Sequence, residues 1–104
     1  MTAFQVIITE PAEQDLHTVI NYISKELHNP LAAKKLLRNI KLKVELLKTY
    51  PKRFPLVRDK VLALKNIRKI PIDHYLIFYT VDESTKQVTI VRILYAKRNW
   101  IDLL

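Results

Sequence analysis

The 104-residue sequence contains neither glycine nor cysteine. Without cysteine the chain cannot form a disulfide, a thiolate metal site or a cysteine nucleophile, and it suits a reducing compartment. Without glycine it cannot build the phosphate-binding loops of Walker or Rossmann type, because those loops need positive φ angles or a close approach of the backbone to phosphate. The sequence therefore excludes nucleotide sites of these two kinds, and we expect no cofactor.

Long hydrophobic runs are also missing. No stretch approaches the roughly 18 uncharged apolar residues of a membrane-spanning helix, and residues 1–9 lack the basic segment that opens a secretory signal peptide. We therefore expect a cytoplasmic protein with no membrane partner. Apolar residues make up 49% of the chain and charged residues 27%, which is typical of a globular fold. This length predicts a single domain over residues 1–104.

Acidic residues are scarce. The chain contains ten Asp and Glu residues and eighteen Lys and Arg residues, which gives a formal net charge of +8. Ten of the eighteen basic residues lie between Lys34 and Lys60, whereas the first 33 residues contain only Lys25. Such an excess favours anionic partners, whether nucleic acid, an acidic protein or a membrane surface. The middle and the C-terminal part of the chain are expected to produce this positive field.

Hydrophobic periodicity predicts a strand followed by two helices in the first half of the chain. Residues 3–9 are rich in β-branched side chains and read as a strand. Apolar residues then recur at helical spacing over residues 11–28, after a cap at Thr9 or Glu10. Asn29 precedes a proline and starts a second helix that is predicted to run to about residue 49. Helices joined by so short a turn should pack side by side and antiparallel.

The second half of the chain predicts a connector and three strands. The connector spans residues 50–57, and the strands span residues 62–70, 73–81 and 87–95, before a short C-terminal tail. The order of elements is therefore β-α-α-β-β-β. We expect an α+β fold in which the N-terminal strand and an antiparallel helical hairpin pack on a small, mainly antiparallel sheet.

A stripe of basic side chains follows one side of the second predicted helix. Lys34, Arg38, Lys41 and Lys48 recur at helical spacing, interrupted by Glu45. A basic stripe can contact a phosphate backbone or an acidic partner. It is also what the solvated side of an amphipathic helix ordinarily shows. Both interpretations stay open at the level of sequence.

Arg92 lies inside the last predicted strand. Strict alternation would place it on the same side as Val88, Ile90 and Leu94. An arginine among apolar residues needs a carboxylate partner or an opening to solvent, because an unpaired buried charge is costly. We therefore expect Arg92 either to form a structural ion pair with a carboxylate or to be an exposed functional cation. The carboxylate candidates are Asp59, Asp73 and Asp82.

The C-terminal tail combines cations with aromatic rings. The tail contains residue types that bind phosphates and stack on nucleic-acid bases, namely Tyr95, Lys97, Arg98 and Trp100. Trp100 could instead pack back on the core. His74 could act as a general acid or base, since its ordinary pKa lies near neutrality, or be an exposed turn residue. The remaining histidines show no ligand spacing, so no metal site is predicted.

Several segments carry a resemblance that spans essentially the whole chain. They are Ile8-Thr-Glu-Pro-Ala-Glu-Gln-Asp-Leu16, Asn29-Pro-Leu-Ala-Ala33, Arg68-Lys-Ile-Pro-Ile-Asp-His-Tyr-Leu-Ile-Phe-Tyr79 and Val91-Arg-Ile-Leu-Tyr-Ala-Lys-Arg-Asn-Trp100. With the order of elements, they resemble the RelE/ParE superfamily of type II toxin–antitoxin toxins. The resemblance implies a growth-inhibiting toxin that is neutralised by a cognate antitoxin encoded beside it.

The resemblance allows more than one mechanism. RelE-like members cut mRNA on the ribosome without a metal and usually carry arginine where this sequence has Leu76. If the chain is such an endoribonuclease, its catalytic candidates are Arg68, Lys69, His74, Arg92, Lys97 and Arg98. ParE-like members instead bind DNA gyrase. The departure at Leu76 and the long helical hairpin favour that branch. A further alternative is a degenerate toxin that only binds its antitoxin.

The partner-binding candidates come from the basic stripe, the last strand and the tail. They are Lys34, Arg38, Lys41, Arg92, Tyr95, Lys97, Arg98 and Trp100. Their expected partners are the cognate antitoxin and either DNA gyrase or the ribosome with its mRNA.

Overall fold

A four-stranded mixed sheet covered by two helices forms the body of the molecule. The computed structural model describes residues 3–104. The strands are β1 (Gln5–Ile8), β2 (Arg68–Ile72), β3 (Tyr75–Asp82) and β4 (Gln87–Tyr95), and the α-helices are α1 (Glu10–Asn21), α2 (Pro30–Leu46) and α3 (Lys60–Leu64). Short helical turns occupy Tyr22–Glu26, Pro51–Arg53 and Ile101–Leu103. No helix in this described range is long and apolar enough to cross a membrane.

The sheet confirms the predicted α+β architecture. Its strand order is β1-β4-β3-β2, with antiparallel pairing along β2-β3-β4 and parallel pairing between β1 and β4. Parallel neighbours cannot be joined by a tight turn. The long connection from β1 to its parallel neighbour β4 begins with the helical hairpin.

Local capping signals begin both long helices where the sequence predicts. The Thr9 hydroxyl accepts a hydrogen bond from the Ala12 amide at 3.2 Å and donates one to the Val91 carbonyl at 2.9 Å. Thr9 therefore caps α1 and joins it to β4. The Asn29 side chain likewise accepts a hydrogen bond from the Ala32 amide at 3.1 Å and caps α2.

The first helix ends in a wider turn that the sequence did not reveal. Over Tyr22–Glu26 the helix is of the π type, and the Leu27 amide donates to the Tyr22 carbonyl five residues earlier. One extra residue in a turn rotates the following side chains by about 100° around the axis. The helical spacing of apolar residues over residues 11–28 predicts Leu27 on the buried stripe, but Leu27 is 54% exposed. The prediction of one regular helix over residues 11–28 was wrong in this last turn.

The predicted strand over residues 62–70 is wrong in its first half. Asp59 caps the short helix α3 by accepting from the Leu62 amide at 3.0 Å, and Asn66 leaves that helix with a φ of 61°. β2 begins only at Arg68. The aspartate cap was a readable signal for a helix, but the apolar run after it also fitted a strand.

Apolar cores form on both sides of the sheet. Between the helices and the sheet lies a large cluster that includes Leu36, Ile77 and Tyr79. A smaller cluster, built around Phe78, is partly covered by Trp100 from the C-terminal tail. The central strands are therefore buried on both sides.

A β-bulge reverses the side on which Arg92 was expected. The pairing of β3 with β4 shifts at Phe78 and Tyr79, so that Phe78 faces Arg92 while Tyr79 faces Ile90. The extra residue in β4 breaks strict alternation. Val88 and Ile90 belong to the helix-side core with Ile93, whereas Arg92 lies opposite Phe78 on the other side. The predicted register of Arg92 with Val88 and Ile90 was therefore wrong.

Candidate partner-binding surfaces

The six candidate nuclease residues fall into three separate groups along the sheet. Arg68 faces Tyr79 in the middle of β3, whereas His74 precedes Tyr75 at the start of that strand. Four residue steps along the strand lead from Tyr75 to Tyr79, a distance of about 13 Å. Lys69 and Arg92 lie between these two positions, on either side of Phe78.

Lys97 and Arg98 belong to the His74 end of the sheet. The Ala96 amide donates to the His74 carbonyl at 2.8 Å, and the Arg98 amide donates to the Tyr95 carbonyl at 3.0 Å. The fold therefore brings His74, Lys97 and Arg98 together at one end. Arg68 lies too far away to contact the same phosphate.

Arg92 forms an ion pair with Asp15 of α1. Its Nε and Nη2 atoms donate to the two carboxylate oxygens of Asp15 at 2.7 and 2.9 Å, and the Ile93 amide donates to the same carboxylate at 3.0 Å. Only 21% of the Arg92 side chain and 13% of the Asp15 side chain are exposed. The hydrogen bonds to Asp15 raise the pKa of the Arg92 guanidinium.

The predicted partners Asp59, Asp73 and Asp82 were therefore wrong, and the structure selects the ion pair over the exposed cation for Arg92. Sequence reasoning missed Asp15. A signal was available, because Asp15 lies on the apolar stripe of the first helix, between Ala12 and Val19. A carboxylate in such a stripe indicates a cation on an element that the helix contacts, here β4 beyond the end of its pairing with β1.

Arg68 stabilises the connector that follows α2. Its guanidinium donates to the carbonyl of Phe54 at 2.7 Å and to that of Lys52 at 3.4 Å. The buried Tyr79 hydroxyl donates to the Pro51 carbonyl at 2.6 Å. Burial raises the pKa of the Tyr79 phenol, although the nearby Arg68 charge acts in the opposite direction.

The sheet surface opposite the two long helices is largely apolar. Leu76 is buried there beside Phe78, and the ring of Trp100 packs on Phe78 with centroids 5.0 Å apart. The Lys69 ammonium lies 5.8 Å from the Trp100 ring centroid, within the range of a cation–π contact. Trp100 therefore packs on the core, and part of this surface is covered by the protein's own tail.

A solvent-open apolar groove lies between α2 and β1. It has a volume of about 430 Å³, and its apolar lining includes Val6, Ile8 and Val44. Lys41 and Lys48, two members of the predicted basic stripe, also line it. The stripe was predicted as a feature of one helix, and the fold places two of its four members at an apolar concavity.

The strand beside this groove has an open edge. The amides of Gln5 and Thr9 donate to the Lys86 and Ile90 carbonyls on the β4 side. In a parallel ladder the alternate residues direct their amide and carbonyl groups to the opposite side. The backbone of Val6 and Ile8 therefore points away from β4, where another strand can pair with it.

The sequence matches one protein family over almost its whole length. Residues 6–100 match the ParE toxin of type II toxin-antitoxin systems, parDE. This chain belongs to that family. No curated protein sequence shows significant similarity to it.

Solved structures of toxin–antitoxin proteins share the fold of this ParE-family chain. A chain of the chromosomal ParDE system from P. aeruginosa aligns with a TM-score of 0.72 at 18% identity, covering 91% of this chain and 98% of that one. A chain of the RelBE2 complex from Mycobacterium tuberculosis gives 0.62 at 23%, covering 93% and 97%. The isolated E. coli RelE toxin gives 0.59 at 16%, covering 97% and 93%.

Three of the four cations of the basic stripe are exposed and form no salt bridge within residues 3–104, and one of these three, Lys41, lines the groove. Lys34, Arg38 and Lys41 are exposed, and no carboxylate within residues 3–104 forms a salt bridge with them. Lys48 pairs with Glu45 at 3.0 Å. In this ParE-family chain, apolar surface, an unpaired strand edge and free positive charge thus occur side by side. That combination suits an amphipathic acidic polypeptide better than a small molecule.

Proposed function

We propose that this chain is a growth-inhibiting toxin that acts in the cytoplasm by binding DNA gyrase and is neutralised by a cognate antitoxin. Membership of the ParE family supports the first part of this proposal. The position of the cations supports binding over RNA cleavage, because phosphoryl transfer needs several cations around one phosphate. Here only Lys97 and Arg98 of the candidate cations lie at the His74 end of the sheet. Arg68 is about 13 Å away along β3, and Arg92 is bound to Asp15.

Leu76 gives further support for this mechanism. It is buried in the smaller core beside Phe78, at the position where RelE-like sequences carry arginine. A cation at this position would have to displace the packing of Trp100, which lies on the same cluster. The ParE-like mechanism needs no such cation.

The target is tested by inducing the chain in cells that lack its antitoxin. We expect growth arrest with trapped DNA–gyrase complexes and no new mRNA ends. Codon-phased mRNA cuts shortly after induction would contradict the gyrase mechanism and favour the ribosome-dependent nuclease. Absence of any growth defect, with binding to the antitoxin retained, would indicate the degenerate toxin instead.

We place the antitoxin in the groove between α2 and β1, with one of its strands on the open edge of β1. Ile8 supports this placement, because it lines the groove and is 44% exposed on the edge strand. A carboxylate introduced at this position would have to be desolvated under the antitoxin. We expect Ile8→Asp to weaken binding of the adjacently encoded antitoxin by about tenfold or more.

Leu64→Asp is the matched control for this experiment. Leu64 is an equally sized apolar residue on α3 that is mostly exposed and does not line the groove. Calorimetry should show little change in antitoxin affinity for Leu64→Asp, and thermal unfolding should show that both variants are folded. Equal antitoxin affinities of the two variants would contradict the proposal that the antitoxin binds in this groove.

A further inference from the structure

A second apolar pocket lies where the first helix ends. It has a volume of about 590 Å³, and its lining includes Tyr22, Leu27, Tyr75 and Tyr95. A neighbouring concavity of about 410 Å³ shares Leu27, His74 and Tyr75 with it. Neither shares any lining residue with the groove between α2 and β1. This pocket is therefore separate from the groove between α2 and β1.

The π turn is what gives this pocket its exposed apolar walls. The turn leaves Leu27 more than half exposed, and Tyr22, at its first position, is 51% exposed. A regular helix would have directed Leu27 toward the sheet with the rest of the stripe. π turns of this kind occur frequently at functional sites.

Three tyrosines converge on the pocket. Tyr75 and Tyr95 face each other across β3 and β4, with ring centroids 5.8 Å apart and an interplanar angle of 69°. The pKa of Tyr75 is raised by burial and by the proximity of Tyr22 and Tyr95. In residues 3–104 none of these three hydroxyls hydrogen-bonds to another side chain or to the backbone. All three are therefore free to bind a ligand.

Two exposed cations follow Tyr95 in the turn that leaves β4. Tyr95 opens a turn that is closed by the hydrogen bond from the Arg98 amide, and Lys97 is inside that turn. Both cations are exposed, and neither forms a salt bridge within the described range. A carboxylate of a partner can approach them without displacing an internal one.

The chemistry of this surface fits a protein segment better than a nucleic acid strand. Tyrosine and arginine are the residue types that dominate protein–protein interfaces, where a central pocket receives an apolar anchor. A single-stranded nucleic acid would need cations all along the path of its phosphate backbone. The lining here contains no lysine or arginine, and Asp73 lies in the adjoining concavity. The cations are confined to one margin.

We propose that the tyrosine pocket binds the toxin's target protein, through a segment with an aromatic or aliphatic anchor followed by a carboxylate. The anchor enters between Tyr22, Tyr75 and Tyr95, and the carboxylate reaches Lys97 or Arg98. This inference rests on the proposed function, since it assumes a target that is bound. It adds that the target and the antitoxin use different surfaces.

Tyr22→Ala and the double charge reversal Lys97→Glu/Arg98→Glu test the pocket. The probes are purified DNA gyrase and the adjacently encoded antitoxin, with growth arrest measured in cells. We expect each variant to lose at least about tenfold in gyrase affinity and most of the growth arrest. Antitoxin affinity should stay within about twofold of wild type.

Matched controls separate the pocket from general effects of charge and aromatic content. Tyr50→Ala removes an exposed tyrosine elsewhere, and Lys60→Glu/Lys65→Glu makes a comparable double charge reversal at other exposed cations. Both controls should retain gyrase binding within about twofold. Thermal unfolding confirms that every variant is folded. Retained growth arrest in both pocket variants, or a parallel loss of antitoxin affinity, would overturn the inference.

Failure of the gyrase mechanism can be distinguished from failure of the pocket. If wild type arrests growth without binding gyrase, the choice of gyrase is wrong, and loss of growth arrest in the pocket variants still supports the pocket. A wild-type chain that neither binds gyrase nor arrests growth overturns both. Binding of a 20-nucleotide oligo-dT that is lost in Tyr22→Ala would overturn the assignment to a protein segment.

Discussion

At the scale of single residues, the ion pair between Asp15 and Arg92 joins the first helix to the sheet. The carboxylate accepts hydrogen bonds from the guanidinium and from the Ile93 amide, and both side chains are mostly buried. Removing the carboxylate leaves a largely buried cation and an amide without their acceptor. Such unpaired groups are costly.

We therefore expect Asp15→Ala to lower the free energy of unfolding by about 2–4 kcal/mol, measured by urea denaturation. Glu13→Ala, at an exposed carboxylate on the same helix, should change it by less than about 0.5 kcal/mol. The double variant Asp15→Ala/Arg92→Met should recover part of the loss, because it removes the uncompensated charge. Equal stability of Asp15→Ala and wild type would mean that the pair contributes nothing.

Tyr79 makes a pH-dependent contribution to the free energy of unfolding, and the direction of its pKa shift gives the sign of that dependence. Its hydroxyl donates to the Pro51 carbonyl, and burial raises its folded pKa above the ordinary value of 10.0. The contribution of the neutral phenol is thus fully present below the unfolded pKa and is lost as the pH rises through the folded pKa. We expect Tyr79→Phe to cost about 1–2 kcal/mol at neutral pH, and this difference from wild type should shrink above about pH 10.

Urea denaturation between pH 7 and 11 measures this difference. Tyr50→Phe, at an exposed tyrosine, should stay within about 0.5 kcal/mol of wild type at neutral pH. A difference for Tyr79→Phe that grows with pH would contradict the assigned direction of the pKa shift.

At the scale of elements, the lack of glycine means that positive φ angles fall on other residue types, at four positions within residues 3–104. They are His28, Asn66, Asp73 and Lys86. His28, with a φ of 51°, ends the first helix at a position where glycine is strongly preferred. We expect His28→Gly to raise the free energy of unfolding by up to about 1 kcal/mol. Lys35→Gly, inside α2, should lower it by about 1 kcal/mol. Destabilisation by both changes in a thermal unfolding assay would contradict this account.

The elements that the sequence predicted well are those set by local signals. Thr9 and Asn29 begin the two long helices because each cap acts within three residues of its own position. The π turn and the bulge opposite Phe78 depend on how the helix and β4 meet the rest of the sheet. Periodicity assumes a constant number of residues per turn and cannot detect one extra residue.

The candidate sites follow the same division. Tyr95, Lys97 and Arg98 could be predicted as candidates from composition, since they lie close together in the sequence. Tyr22 was not, because the π turn brings it to the pocket that Tyr75 and Tyr95 line. The partner of Arg92 was missed because it is 77 residues away in the chain.

At the scale of the whole molecule, the net charge of +8 should steer association with acidic partners. Steering between exposed charges is screened by salt. We expect the association rate with the antitoxin to fall by about tenfold between roughly 50 and 500 mM salt, in stopped-flow measurements. Lys34→Glu/Lys41→Glu should lower this rate more than Lys60→Glu/Lys65→Glu, which changes the net charge equally. Equal effects would assign the steering to net charge and not to the basic stripe.

The parallel pairing of β1 with β4 has a consequence for the synthesis of the chain. Gln5–Ile8 leaves the ribosome before the helices and the other strands of the sheet, and its partner residues in β4 begin only at Gln87. Closing so long a loop carries an entropic cost, and pairing across it is slow. The antiparallel strands can form from neighbouring residues, whereas the groove needs both β1 and β4. A nascent toxin therefore cannot present that groove until β4 has been translated.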